Sequence, residues 1–321
     1  MDWLEQYIEI KDGFPRPDWE KIYQHAEMYL NDADPNLLWN DVSLEWMSRV
    51  SDSLGAEYHQ NGSENFLIIS SRGEKYSTLL LKFMERSRKN ILRHLNGIAS
   101  DEGYGKHIII NFKDMDTYYS YVSYYYPESG EFGLSSGMYI NRGYGHFVLA
   151  EEDQSYVETI TSHELTHALL VHLPIPHWLN EGLAVNMENI LTNSVPLRME
   201  NEMYERHMNF WNEETIQEFW SGKAFGRPDE GMELSYHLAQ FAAFSLSQNY
   251  EVFQEFANNA HFDDAGEKAA NETYGGGLGS LITQYFGEGN WAPKPETWLD
   301  KHSNKSPKRM LVSAACFNRY V

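Results

Sequence analysis

The sequence predicts an α+β fold, and three observations carry that prediction. Short apolar runs of strand character are confined to residues 52–150, where they alternate with helical stretches. Before residue 52 and after residue 150 the apolar positions recur at helical spacing. A chain of 321 residues with 14% aromatic content can bury a large core as one composite domain or two.

Residues 1–51 read as two or three polar helices forming an N-terminal extension. Pro17-Asp18-Trp19-Glu20 suits a helix start, and Trp19, Ile22, Tyr23, Ala26 and Leu30 follow at helical spacing. A second run from Leu37 to Leu54 carries Trp39, Val42, Trp46, Met47 and Val50. No chemistry attaches to this region, so it reads as an accessory cap or as a surface for a partner protein. Residues 52–150 form the α/β part. Phe66 to Ser70 is a strand, Glu74 to Leu95 a helix and His107 to Phe112 a strand; Asp114-Met115-Asp116 opens a tyrosine-rich helix. Gly133 to Asn141 and Gly145 to Ala150 read as two further strands joined at Asn141-Arg142-Gly143-Tyr144-Gly145. Residues 151–300 are helical, with segments at Tyr156 to His172, Glu213 to Trp220, Leu234 to Ser247, Glu251 to Asn258 and Leu278 to Phe286. Gly275-Gly276-Gly277-Leu278-Gly279 lacks the Lys-Ser/Thr ending of a phosphate loop and reads as a link. Residues 301–321 are a basic tail holding Lys301, Lys305, Lys308, Arg309 and Arg319.

The chemistry concentrates in His163-Glu164-Leu165-Thr166-His167. Residues four apart share one face of a helix, so His163 and His167 can reach one metal ion, and Glu164 beside them can hold a water. The surrounding helix is apolar on several sides and therefore mostly buried, and burying two His and a Glu without partners is costly. A metal removes that cost. Leu173-Pro174-Ile175-Pro176 then ends the helix and turns the chain back. Glu181, fourteen residues past His167, arrives on the next helix as a third ligand, with His172, His177 and Glu188 as rivals. Three protein ligands and an open position describe a catalytic zinc rather than a structural one, with one zinc per chain expected.

HExxH followed by Trp178-Leu179-Asn180-Glu181-Gly182-Leu183-Ala184 resembles the gluzincin zinc metallopeptidases of the thermolysin-like clan, most closely their bacterial peptidase-MA-like branch. The metzincin extension is absent, because Leu170 and Leu173 stand where it needs Gly and His. Peptide deformylases take a Cys as third ligand, whereas the only Cys here is Cys316. The interval from His167 to Glu181 is shorter than in thermolysin. The resemblance covers roughly residues 55 to 290. It implies a zincin-like lobe, with a small mixed sheet and an active-site helix, joined to a helical C-terminal lobe.

The resemblance also implies an edge strand that pairs with the substrate backbone, here Ser135, Ser136, Gly137, Met138 and Tyr139. It implies an oxyanion donor from a later helix, Tyr236 or its neighbour His237, with Tyr236 preferred. Zinc would lower the pKa of a water, and Glu164 would take its proton and pass it to the leaving nitrogen. Asn180 would steady the loop or a ligand from behind. Two other readings stand beside the peptidase: a zinc hydrolase of the same fold acting on a non-peptide amide or ester, and a non-catalytic zinc-binding interaction protein. An intact Glu164 speaks against the last.

Composition narrows the partners. A net charge of −22 disfavours nucleic acid and anionic membrane, leaving a peptide or protein as the expected substrate. A single Cys allows no internal disulfide. Without a basic, apolar leader or an 18-residue apolar run, the expectation is a cytoplasmic protein that spans no membrane.

Overall fold

A computed structural model of the chain describes residues 1–30, 32–126, 136–194 and 199–298, and the backbone of 312–313. The fold mixes α and β, with most strands gathered into one small mixed sheet, as an α+β chain requires. The chain divides into two compact units, one of residues 1–93, 101–169 and 310–321, the other of residues 94–100 and 170–309.

In the first unit, α1 (Asp2–Glu5) leads into a hairpin of β1 (Ile8–Lys11) and β2 (Phe14–Pro17). Its two-residue turn, Asp12-Gly13, has φ of 52° and 81°, the left-handed pair that a tight hairpin demands. Then come α2 (Trp19–Tyr29) and α3 (Pro35–Leu54), with Asp18 and Asp34 capping their N-termini through side-chain oxygens. Strands β3 (His59–Gly62) and β4 (Phe66–Ser70), helix α4 (Glu74–His94), strand β5 (His107–Phe112) and helix α5 (Met115–Val122) follow. The unit continues with β6 (Gly137–Ile140), β7 (Arg142–Gly143), β8 (His146–Ala150) and helix α6 (Gln154–Leu170), which carries the HExxH motif. The two-residue strand β9 (Val312–Ser313) runs parallel to β7.

The main sheet has the order β3-β4-β5-β8-β6, parallel at β4-β5 and β5-β8 and antiparallel at both edges. One sheet face, with Leu67, Ile69, Ile108, Ile110, Phe112, Ile140 and Val148, is buried together with Trp39, Val42, Trp46 and Val50 of α3 and Tyr118 and Tyr121 of α5. On the other face Asn111 donates to the Tyr76 hydroxyl of α4 at 2.8 Å.

The reading of residues 1–51 as a helical extension is corrected in two respects. A β-hairpin occupies residues 8–17, and α2 and α3 belong to the core that covers the sheet. The boundary at residue 150 also moves: α6 groups with the sheet as far as Leu169.

The second unit is helical among its described residues: α7 (His177–Thr192), α8 (Asn201–Phe210), α9 (Thr215–Trp220), α10 (Gly231–Leu246), α11 (Tyr250–Asn259), α12 (Glu267–Tyr274) and α13 (Leu278–Phe286). Pro176 caps the start of α7, and Asn193 ends it in the left-handed conformation usual for a helix terminus. Trp178 is fully buried, donates to the Ala265 carbonyl at 3.0 Å and packs against Phe219, Trp220 and Phe256. This aromatic cluster fixes the first turns of α7. Helices α7 and α10 run side by side in the same direction: Phe225 bridges His177 to Tyr236, Gly182 meets Ala239, and Asn186 donates to the Gln240 carbonyl. Much of the basic tail, Gly133 and Ser135 lie outside the described residues. Among the described residues no helix is long and apolar enough to cross a membrane.

Candidate metal centre

Helix α6 buries polar side chains without strain. Thr161, Ser162 and Thr166 are fully buried, and their hydroxyls donate to the carbonyls of Val157, Thr159 and Ser162 at 2.7, 2.8 and 2.9 Å. The half-buried imidazoles of His163 and His167 project one turn apart on this helix, with their Nε2 atoms 3.1 Å apart and their rings at 80°. Two nitrogens on one tetrahedral zinc, each about 2.05 Å from the metal, stand about 3.3 Å apart. The spacing of the pair therefore suits two ligands of a single ion.

Glu181 completes the group: ligand atoms of His163, His167 and Glu181 all lie within 4.8 Å of one another. Glu181 is only 6% exposed, and a buried carboxylate beside two imidazoles is the environment that a cation stabilises. The donor set of two imidazoles and one carboxylate suits a divalent metal ion. Of the rival ligands, His172 and Glu188 do not enter this group, and His177 lies 3.7 Å from Glu181 as its i,i+4 neighbour.

Glu164 points to the sheet edge. Its Oε2 accepts the backbone N–H of Tyr139 at 2.7 Å. The register explains why that N–H is available to a helix. Ala150 N–H donates to the Ser136 carbonyl, and Met138 pairs with Val148, so the backbone groups of Gly137 and Tyr139 turn away from β8. A Cβ on Gly137 would come within 3.0 Å of Ile160 and Leu149, so a glycine there lets α6 lie close to β6. Ile160 faces Gly137 and Glu164 faces Tyr139: four helical residues advance about 6 Å and two strand residues about 6.7 Å, so helix and strand keep step.

The remaining expected site residues fall as follows. Gly137, Met138 and Tyr139 lie on β6, an edge strand of the sheet, with the buried Ser136 just before it. Asn180 is half-buried on α7, immediately before Glu181. Tyr236 is half-buried on α10, its ring edge-on to Phe225 at 5.2 Å, and Phe225 in turn packs on His177 at 4.7 Å. His237 lies next to Tyr236 and bonds His207 of α8 at 2.8 Å.

Three residues around these, Phe225, His207 and Trp211, escaped sequence reasoning, and His177 was read only as a rival ligand. His177 and Phe225 connect the Glu181 turn to α10, while His207 bonds His237 and is itself bonded by Trp211. Only the i,i+4 spacing of His207 and Trp211 was visible as a signal. No model of a known protein family matches this sequence, and no curated protein matches it either.

Proposed function

We propose that this chain is a zinc-dependent metallopeptidase of the gluzincin kind, with His163, His167 and Glu181 as metal ligands and Glu164 as general base. The observation that carries the reading is the placement of Glu164. It is next in sequence to one ligand of a three-residue group that converges within 4.8 Å, and its carboxylate is tied to the outward backbone of an edge strand. Bound in that group, zinc supplies a Lewis acid and brings the pKa of water towards neutrality.

The chain's own residues supply the rest. Glu164 takes a proton from the attacking water and returns it to the leaving nitrogen. Gly137 and Tyr139 direct their backbone groups away from β8, and an extended peptide adding on that side as a further strand takes over the Tyr139 N–H that Glu164 holds, releasing the carboxylate to the water. Such pairing reads backbone rather than side chains, so the expected substrates are peptides or unfolded protein segments. Tyr236 is the proposed donor to the developing oxyanion, and Phe225 and His177 link its ring to the Glu181 turn. Asn180 steadies that turn from behind.

Glu164→Gln tests the assignment. The amide oxygen of Gln can still accept the Tyr139 N–H, so fold and metal content should persist while the proton acceptor is lost. A loss of about a thousandfold in kcat against any reporter peptide that the wild type hydrolyses is the expected result. A Glu164→Gln enzyme within tenfold of the wild type would remove Glu164 from the reaction.

A further inference from the structure

A chain of hydrogen bonds behind α10 fixes where His237 carries its proton. Trp211 Nε1 donates to His207 Nδ1 at 2.8 Å, and His207 Nε2 lies 2.8 Å from His237 Nδ1. An indole N–H can only donate, so His207 Nδ1 must accept. The proton of neutral His207 then sits on Nε2, directed at His237 Nδ1, which must accept in turn. Neutral His237 is left with its proton on Nε2.

Each link is held in place. His207 is fully buried, with Phe286 packed on it at 5.5 Å and the Trp211 ring beside it, so water does not reach its ring. Burial, helped by the neighbouring His237 and by the charge of Arg206, pushes its pKa down to about 3, and it stays neutral near pH 7. Glu233, one turn before His237 on α10, is engaged by Arg206 at 2.6 Å and adds a negative charge near the His237 ring. His237 is half-buried and adjoins Tyr236, where α10 runs beside the Glu181 turn of α7.

We propose that Trp211 and His207 are positioning residues that hold His237 in the Nε2–H tautomer, so that it offers a substrate oxygen a hydrogen-bond donor and not an acceptor. The role toward substrate rests on the hydrolase reading above; the tautomer does not. A neutral imidazole that exchanges tautomers presents a donor only part of the time, whereas this relay keeps the donor in place.

Nitrogen-15 NMR of the histidine rings in the full-length, zinc-loaded chain separates the two parts. The relay predicts a His237 ring protonated at Nε2 and bare at Nδ1. Trp211→Phe removes the indole N–H with part of the ring system and keeps an aromatic ring, so the fold should survive while His237 becomes a mixture of tautomers. His207→Phe should do the same and lower kcat about tenfold with little change in KM. His207→Gln, whose amide N–H can reach the same Nδ1, should restore kcat to within about threefold of the wild type. A wild-type His237 protonated at Nδ1, or a Trp211→Phe chain with an unchanged His237 signal, would overturn the relay. An Nε2-protonated His237 in a chain that hydrolyses no peptide would uphold the relay and overturn the peptidase reading instead.

Discussion

His146 and His207 are both fully removed from water, and each is committed to one neutral form. His146 Nδ1 donates to the Tyr144 carbonyl at 2.7 Å, which leaves Nε2 to accept the Tyr121 hydroxyl at 2.9 Å. Burial pushes its pKa down to about 4. Between about pH 6.5 and 4 the unfolded chain therefore binds a proton at this residue that the folded chain refuses. Stability from His146 is complete above pH 6.5 and is lost as the pH falls towards 4, on the order of 3 kcal/mol in all. His207, with its pKa near 3, acts in the same sense. Urea titrations of the wild type and His146→Gln at pH 7 and pH 5 test this. The wild type should lose stability faster on acidification, by up to about 1.4 kcal/mol per pH unit, and parallel pH profiles would refute it. At this scale the sequence was most informative where chemistry rests on residue type and local spacing. His163, His167 and Glu164 are of that kind, since four residues of helix decide which side chains share a face. The bond of His207 to His237 depends on which helix lies against which, and that of Glu164 to Tyr139 on which helix lies against which strand; no local pattern encodes either.

Helices α6 and α7 were legible because HExxH sits in a buried helical pattern and Pro174 and Pro176 mark the break between them. The hairpin of β1 and β2 was misread as helix although Asp12-Gly13 between Ile8-Glu9-Ile10-Lys11 and Phe14 is a strong hairpin signal. Strand β3 was missed for a different reason. His-Gln-Asn-Gly has no apolar alternation, and this edge strand is held by pairing with β4 alone. Equally silent in the sequence was the close contact of α7 and α10, which is set by Gly182. A Cβ there would lie within 3.0 Å of the Ala239 carbonyl carbon and oxygen, and backbone cannot yield as a side-chain tip can. Gly182→Ala should force the helices apart and cost about 1–3 kcal/mol. Because Glu181 is the preceding residue, zinc affinity should fall as well. Gly226→Ala is the control, with open space around the site and no positive φ. Urea midpoints and zinc retention of the two variants check the argument. A Gly182→Ala chain as stable and as zinc-replete as Gly226→Ala would show that the contact relaxes freely.

At the scale of the whole chain, the N-terminal residues and the HExxH helix belong to one compact unit. Trp46, Val42 and Val50 share a core with Ile110, Phe112 and Val148 of the sheet, so residues 1–51 are part of the scaffold and not a detachable cap. Glu181 stands on α7, whose first turns are pinned by the buried Trp178. The account stands on this convergence of His163, His167 and Glu181. Its most direct test is the zinc content of the full-length chain, purified without chelators, exposed to zinc and freed of excess, beside Glu164→Gln and Glu181→Ala. The account predicts about one zinc per chain in the wild type and in Glu164→Gln, and a large loss in Glu181→Ala. A wild type that retains no zinc, or a Glu181→Ala chain that holds as much as the wild type, would contradict it.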